Sequence, residues 1–164
     1  MKLTKLEEPE TATSSRGTLN VSAGRWLAID LGAKRVGLAV SDELRITVNP
    51  LQAIERRSWK DLLRRVAAII ESYDARGLVI GLPLSLDGTE GSAAKDTRAV
   101  AEKFKLSLSI PVYLQDERLT TFAATAQLKA AGRSDYQVER EVDSESAALI
   151  LHDFLAGNQN LDQT

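Results

Sequence analysis

The chain has no cysteine and a single histidine among its 164 residues. The first absence removes disulfide frameworks, thiolate zinc sites and thiol nucleophiles together, and it accords with a reducing, cytoplasmic setting. The second leaves no imidazole cluster for a softer transition metal. No unbroken apolar run exceeds Val66–Ile70, far short of the ~20 residues that a membrane-spanning helix needs, so no membrane partner is expected. No internal period suggests repeats. What remains is 43% apolar and 27% charged, the composition of a soluble globular protein with one domain of ordinary size.

Residues 1–24 form a polar, Ser/Thr-bearing leader with Glu7, Glu8, Pro9 and Glu10 near its front. With no apolar block behind its lysines and with several acids, it resembles neither a secretory signal nor an organelle transit peptide. It is expected to be a disordered tail, followed by one folded domain over 25–156 and a short tail over 157–164.

The formal charge is −2 and is unevenly divided. Residues 25–65 hold nine basic against five acidic side chains, whereas 66–164 hold nine against fifteen. A globally acidic chain is a poor non-specific nucleic-acid binder, but a local cationic surface beside an acidic centre suits a metal-dependent phosphodiesterase. The alternative for Arg56 to Arg65 is a solvated helix face.

Arg25 to Asp30 reads as a strand, Gly32 permits a turn, and Val36 to Ser41 reads as a second strand. A third is expected within Leu44 to Ile54, where Ile46 and Val48 alternate with polar positions and Pro50 suggests an edge. At Ser58 the period changes: Ser58 and Asp61 have capping-box spacing, and Leu62, Leu63, Val66, Ile69 and Ile70 share one helical face up to about Tyr73. Leu78-Val79-Ile80, bounded by Gly77 and Gly81-Leu82-Pro83, has the look of a central parallel strand. A loop over Ser85 to Ser92 leads to a helix over Ala93 to Leu108, then a strand over Ile110 to Leu114. A third helix is expected over Leu119 to Ala131, ended by Gly132, and a terminal one over Val142 to Leu155. This β-β-β-α-β-α-β-α order with a terminal helix implies a mixed α/β sheet covered by helices, with chemistry at the carboxyl ends of the parallel strands.

Three acidic places belong at those ends: Asp30, Asp116-Glu117, and Asp143 opening the terminal helix. Carboxylates gathered there repel one another unless they take up protons or bind a cation, and oxygen donors suit Mg²⁺ or Mn²⁺. Two such ions can support in-line phosphodiester hydrolysis. Lys34, Arg35 and Arg118 flank the acids and suit phosphate contacts. Each acid also has a plainer explanation. Asp30 can be a turn residue, Asp143 an N-cap, and Asp116-Glu117-Arg118 a strand-end salt bridge. Asp87, in a glycine-flanked loop, is the reserve candidate. Trp59, beside Arg56, Arg57 and Lys60, is the one aromatic kept open for substrate contact, whereas Trp26, Phe104, Tyr113 and Phe154 are expected in the core and His152 at the surface or in packing.

The stretch Asp30-Leu31-Gly32-Ala33-Lys34-Arg35-Val36-Gly37-Leu38-Ala39-Val40-Ser41-Asp42 resembles the opening signature of the YqgF (RuvX) family. Gly81-Leu82-Pro83 with Asp87-Gly88 and Gly91, then Asp116-Glu117-Arg118-Leu119-Thr120-Thr121, then Val142-Asp143-Ser144 leading into Ala147-Ala148, resemble its later motifs in the same order. The resemblance covers about Arg25 to Leu155. It implies an RNase H-like fold, a mixed five-stranded sheet flanked by helices. It also implies a metal-dependent nuclease that matures the 5′ end of pre-16S ribosomal RNA, with ribosomal particles as a further partner, or a Holliday junction resolvase acting on branched DNA. By the motif match, Asp30, Glu117 and Asp143 carry over as catalytic, metal-binding carboxylates, with Asp116 as their neighbour. One departure stands out: the wider superfamily commonly ends the strand after the first helix in an acid, and here that strand ends in Gly81-Leu82-Pro83. Glu117 then lies two strands from Asp30, roughly 9 to 10 Å away in backbone spacing.

Two further readings remain. Asp30-Leu31-Gly32 also resembles the first phosphate motif of the actin-like superfamily of nucleotide binders, which use two such domains where this chain has room for one. A non-catalytic RNA-binding protein is the other.

Overall fold

A computed structural model describes residues 24–118, 130–132 and 135–159. The expected leader lies outside the described residues, as does nearly all of the expected helix over Leu119 to Ala131. Gly132 takes φ 82°, the left-handed conformation expected of a glycine ending a helix.

Three strands follow one another: β1 (Trp26–Leu31), β2 (Arg35–Ser41) and β3 (Val48–Glu55). They are succeeded by α1 (Trp59–Tyr73), β4 (Gly77–Leu82), α2 (Ser92–Ser107), β5 (Val112–Asp116) and α3 (Asp135–Gln159). The sheet runs β3-β2-β1-β4-β5, with β1 antiparallel to β2 and parallel to β4, and β4 parallel to β5. The expected mixed five-stranded sheet is therefore present, with β3 as the edge strand that Pro50 suggested.

Strand alternation sorts the sheet into two faces. Leu27, Ile29, Leu38, Val40, Leu78 and Ile80 pack with Leu62 and Val66 of α1 and Phe104 of α2. The opposite face presents Trp26, Ala28 and Val79 to Ile150, Leu151, Phe154 and Leu155 of α3. The rings of Trp26 and Phe154 lie 5.0 Å apart, with Tyr113 5.7 Å from each, so these aromatics are core as expected. His152 is exposed.

Two expectations need correction. Ile46 is not in a strand: it is exposed in the β2–β3 turn, where Asp42 Oδ1 accepts hydrogen bonds from the Ile46 and Thr47 amides. Once Asp42 supplies those bonds, the segment has no need of a ladder partner. Asp143 neither opens nor caps the terminal helix, because α3 starts at Asp135 and Asp143 lies two turns inside it. The weak apolar periodicity of residues 135–141 concealed this start. Trp59, kept open for substrate contact, is half-buried. Its ring meets Phe104 edge-on at 4.8 Å and carries the Lys103 ammonium over its face. The start of α1 agrees with the sequence reading, with Ser58 Oγ accepting the Asp61 amide at 3.2 Å.

Candidate active site

Asp30 sits near the carboxyl end of β1, on the face covered by α3, since it alternates with Trp26 and Ala28. Its partner across the antiparallel ladder is Gly37 of β2, and its neighbour on the parallel side, one step beyond the Ile29–Ile80 pair, is Gly81 of β4. Asp30 thus has a glycine on either side, and each glycine admits something different.

At Gly37 the occupant is helix backbone. A Cβ there would collide with the Asp143 carbonyl and stand 2.8 Å from the Ser144 nitrogen, so α3 lies directly on the sheet at this point. A register shift in the β2–β3 ladder between Val36 and Leu38 accompanies the contact, and the Leu38 amide donates to Ser144 Oγ at 3.4 Å. Asp143 comes off the same turn of α3, with Ala147, Ile150, Leu151 and Phe154 following at helical spacing on the sheet-facing side. Its Oδ2 accepts from Arg35 Nε at 3.1 Å.

At Gly81 the occupant is Glu117, which follows the last residue of β5 and is anchored by its amide donating to the Leu82 carbonyl at 3.2 Å. The Glu117 carboxyl crosses over β4 and is hydrogen-bonded to Asp30. The two-strand separation expected from the topology is present, and the side chain spans it.

The electrostatics follow from that contact. Burial pushes the Asp30 carboxyl up to about 6; the hydrogen bond from Glu117 works in the other direction, and the charge of Asp143 adds to the rise. Burial pushes Glu117 up to about 9, assisted by the Asp30 charge, their hydrogen bond and the Asp116 charge. Near neutral pH the pair therefore holds a proton shared between the two carboxyls. Glu117 Oε2 is buried and has no hydrogen-bond partner among the described residues.

The remaining candidates are placed as follows. Asp116 is turned to Arg118, accepting from its amide at 2.9 Å and its Nε at 2.7 Å, while Arg118 Nη1 reaches the Leu86 carbonyl at 3.4 Å. Asp87 is engaged within its own loop, where Oδ1 accepts from the Thr89 amide at 2.9 Å and the Thr89 hydroxyl at 2.7 Å, and these bonds hold its carboxyl below the usual range. Lys34 is exposed in the β1–β2 turn. That turn is closed by the Gly32 amide donating to the Arg35 carbonyl at 2.9 Å. Arg56, read from sequence only as part of a basic surface, clasps the turn: its Nη1 donates to the Gly32 carbonyl and its Nη2 to Asp96, each at 3.1 Å.

Among the described residues, no three carboxylate, imidazole or thiolate groups stand close enough together to encase a metal ion as they lie. Asp30 and Glu117 form a pair, and Asp143 faces Arg35. Mg²⁺ asks less than a full protein cage, since one or two carboxylates with waters and substrate phosphates suffice. A buried, unpartnered oxygen on Glu117 and two carboxyls sharing a proton form a donor set that fits a hard divalent cation.

Sequence reasoning named the three acids but missed Gly37, Gly81, Ser144 and the role of Arg56. Gly37 was legible as a glycine inside a strand pattern, a sign of close backbone or ligand approach, whereas Gly81 reads as the boundary of its strand and is found inside β4.

A mixed sheet of this order, with its acids gathered at the carboxyl ends of β1 and β5 beneath a terminal helix, defines an α/β domain of the RNase H-like class. A solved RuvC of T. thermophilus, in complex with a Holliday junction substrate, shares this fold. It has a TM-score of 0.51 and 14% identity, over 81% of this chain and 94% of that one. The chain belongs to the RuvX family, described as Holliday junction resolvase, which matches residues 24–157. A relative from Anaeromyxobacter sp. (strain Fw109-5) named "Putative pre-16S rRNA nuclease" is 40% identical over 133 residues, covering 81% of this chain and 97% of its own. One from Synechococcus sp. with the same name is 41% identical over 129 residues, covering 79% and 87%. The family is one of nucleases, hydrolases of phosphodiester bonds, and the chain is an enzyme of that kind. The expected RNase H-like fold and family are both present. Among the described residues no helix is long and apolar enough to cross a membrane.

Proposed function

We propose that this chain is a divalent-metal-dependent nuclease acting on RNA in 5′-end maturation of pre-16S ribosomal RNA. In this reading Asp30, Glu117 and Asp143 are its catalytic carboxylates. The observation that carries the reading is the proton-sharing contact of Asp30 with Glu117, two carboxyls brought together from the ends of β1 and β5 with Asp143 close enough to raise Asp30 further. Two buried carboxyls in contact, with no basic partner among the described residues, are costly to ionise, and a cation that they serve to bind accounts for their being held together. The names of the relatives support the ribosomal RNA substrate.

Asp30 and Glu117 would hold Mg²⁺ or Mn²⁺, with Asp143 completing the set once it leaves Arg35. Bound there, the metal would supply Lewis-acid stabilisation of phosphate charge and a more acidic water. The protein's own part is to hold the two carboxyls together, and for both to serve as ligands their shared proton would have to pass to solvent. Arg35, 44% exposed while paired with Asp143, is open to solvent and can exchange that carboxylate for a substrate phosphate in bidentate fashion. Lys34 and Arg118 extend the cationic flank on either side. Rigid seating of Asp143 over Gly37 and of the Lys34 turn by Arg56 keeps both sets of groups in register with Asp30.

Purified protein with Mg²⁺ or Mn²⁺ should cut a precursor 16S fragment, and Asp30→Asn should abolish cutting with the fold intact. Equal activity in that variant would remove the assignment. The family's description favours a second reading, resolution of four-way DNA junctions. Symmetric junction cleavage needs two sites and hence a dimer. Sedimentation as a monomer together with inactivity on junctions decides against it.

A further inference from the structure

We propose that Gly81 is a positioning residue for the carboxylate pair: the missing side chain on β4 is the corridor through which Glu117 reaches Asp30 from one strand further away. The inference rests on the reading of Asp30 and Glu117 given above and assigns a cause to their meeting.

Alternation puts Asp30, Gly81 and Glu117 on one face of the sheet. Asp30 continues the series Trp26, Ala28, and Gly81 continues from Val79, all on the side packed by α3. Glu117 follows in phase with Tyr113, which packs on that same cluster. Neighbouring strands are about 4.8 Å apart, so a side chain crossing from the end of β5 to β1 must pass directly over β4. Any side chain there would stand in its path. A Cβ at Gly81 would overlap Glu117 Oε2, lie 3.1 Å from Glu117 Cδ and 2.5 Å from Ile150 Cδ1. Glu117 has little freedom to approach otherwise, since its backbone is tied to the Leu82 carbonyl.

What surrounds Gly81 separates this role from a folding role. Gly37 and Gly77 face helix backbone and the Trp26 ring, neither of which can yield cheaply. The three atoms nearest a Cβ at Gly81 belong to side chains, the Glu117 carboxyl and the Cδ1 tip of buried Ile150, and the φ of Gly81 lies outside the left-handed range, so other residues can adopt its backbone conformation. A methyl group there can be accommodated by swinging Glu117 and Ile150 aside. The fold would survive while the carboxylate contact would not.

The test is Gly81→Ala in the full chain, read by thermal unfolding, by Mn²⁺ titration calorimetry and by a crystal structure without metal. The expected result is a folded protein with a modestly lowered unfolding midpoint, a Glu117 carboxyl displaced from Asp30, and Mn²⁺ affinity lowered about tenfold or more. A Glu117 carboxyl still against Asp30, with Mn²⁺ affinity unchanged, would overturn the proposal. If Gly81→Ala does not fold, Gly81→Ala with Ile150→Val removes the Cδ1 conflict and leaves the Glu117 conflict alone, and the same readings apply. Should the parent protein bind no Mn²⁺, the metal reading falls, whereas the position of Glu117 in the metal-free variant still decides the role of Gly81.

Discussion

Asp30 of β1 and Gly37 of β2 are direct partners across the antiparallel ladder, and the space above Gly37 is filled by the main chain of α3 at Asp143. The absence of one side chain thus seats the terminal helix and delivers a second carboxylate beside the first. Gly37→Ala should therefore destabilise the protein by about 1–3 kcal/mol or more, because the methyl group meets backbone that can move only with the helix. Urea unfolding measures it; a variant as stable as the parent would mean that α3 is not held at this point.

Stability should depend on pH through Asp30 and Glu117. Their folded values, about 6 and about 9, lie above the ~4 of unfolded carboxylates, so the folded state binds more protons in between. The stabilisation is complete below pH ~4 and is lost as pH rises through 6 and then 9. Glu117→Gln should flatten the upper part of that decline, and Mn²⁺ should offset it while binding more tightly at higher pH. A metal-free protein equally stable at pH 5 and pH 9 would contradict the shared proton.

Arg35→Ala should separate binding from folding. Its pair with Asp143 is partly exposed and contributes about 0–1 kcal/mol, so the unfolding midpoint should hardly move. RNA affinity should fall, and the salt dependence of binding should lose about one counterion. An unchanged salt slope would remove Arg35 from the phosphate contacts.

Asp87→Ala should leave Mn²⁺ affinity unaltered, because both Oδ1 bonds of this carboxylate are made within the 85–89 turn. Calorimetry decides between Asp87 and Glu117: a loss of affinity in Asp87→Ala comparable to that in Glu117→Gln would return Asp87 to the site.

The sequence by itself determined the order of the elements among the described residues, the mixed sheet and the identity of the acidic candidates. These are written in local signals: apolar periods of two and 3.6, Ser58 as a cap, and Pro50 on an edge strand. It also contained the family's four motifs in order. Only the tertiary structure decided which acids meet. Asp116 and Glu117 are adjacent in sequence, yet strand alternation sends one to Arg118 and the other to Asp30. Asp143 reads as a cap from its neighbours and instead lies inside a helix against the sheet, because α3 begins at Asp135 and presses on Gly37. The physical reason is common to both cases. Periodicity reports which face a residue occupies, whereas the distance between two carboxyls from remote segments depends on what lies between them, and here that is the empty volume at two glycines.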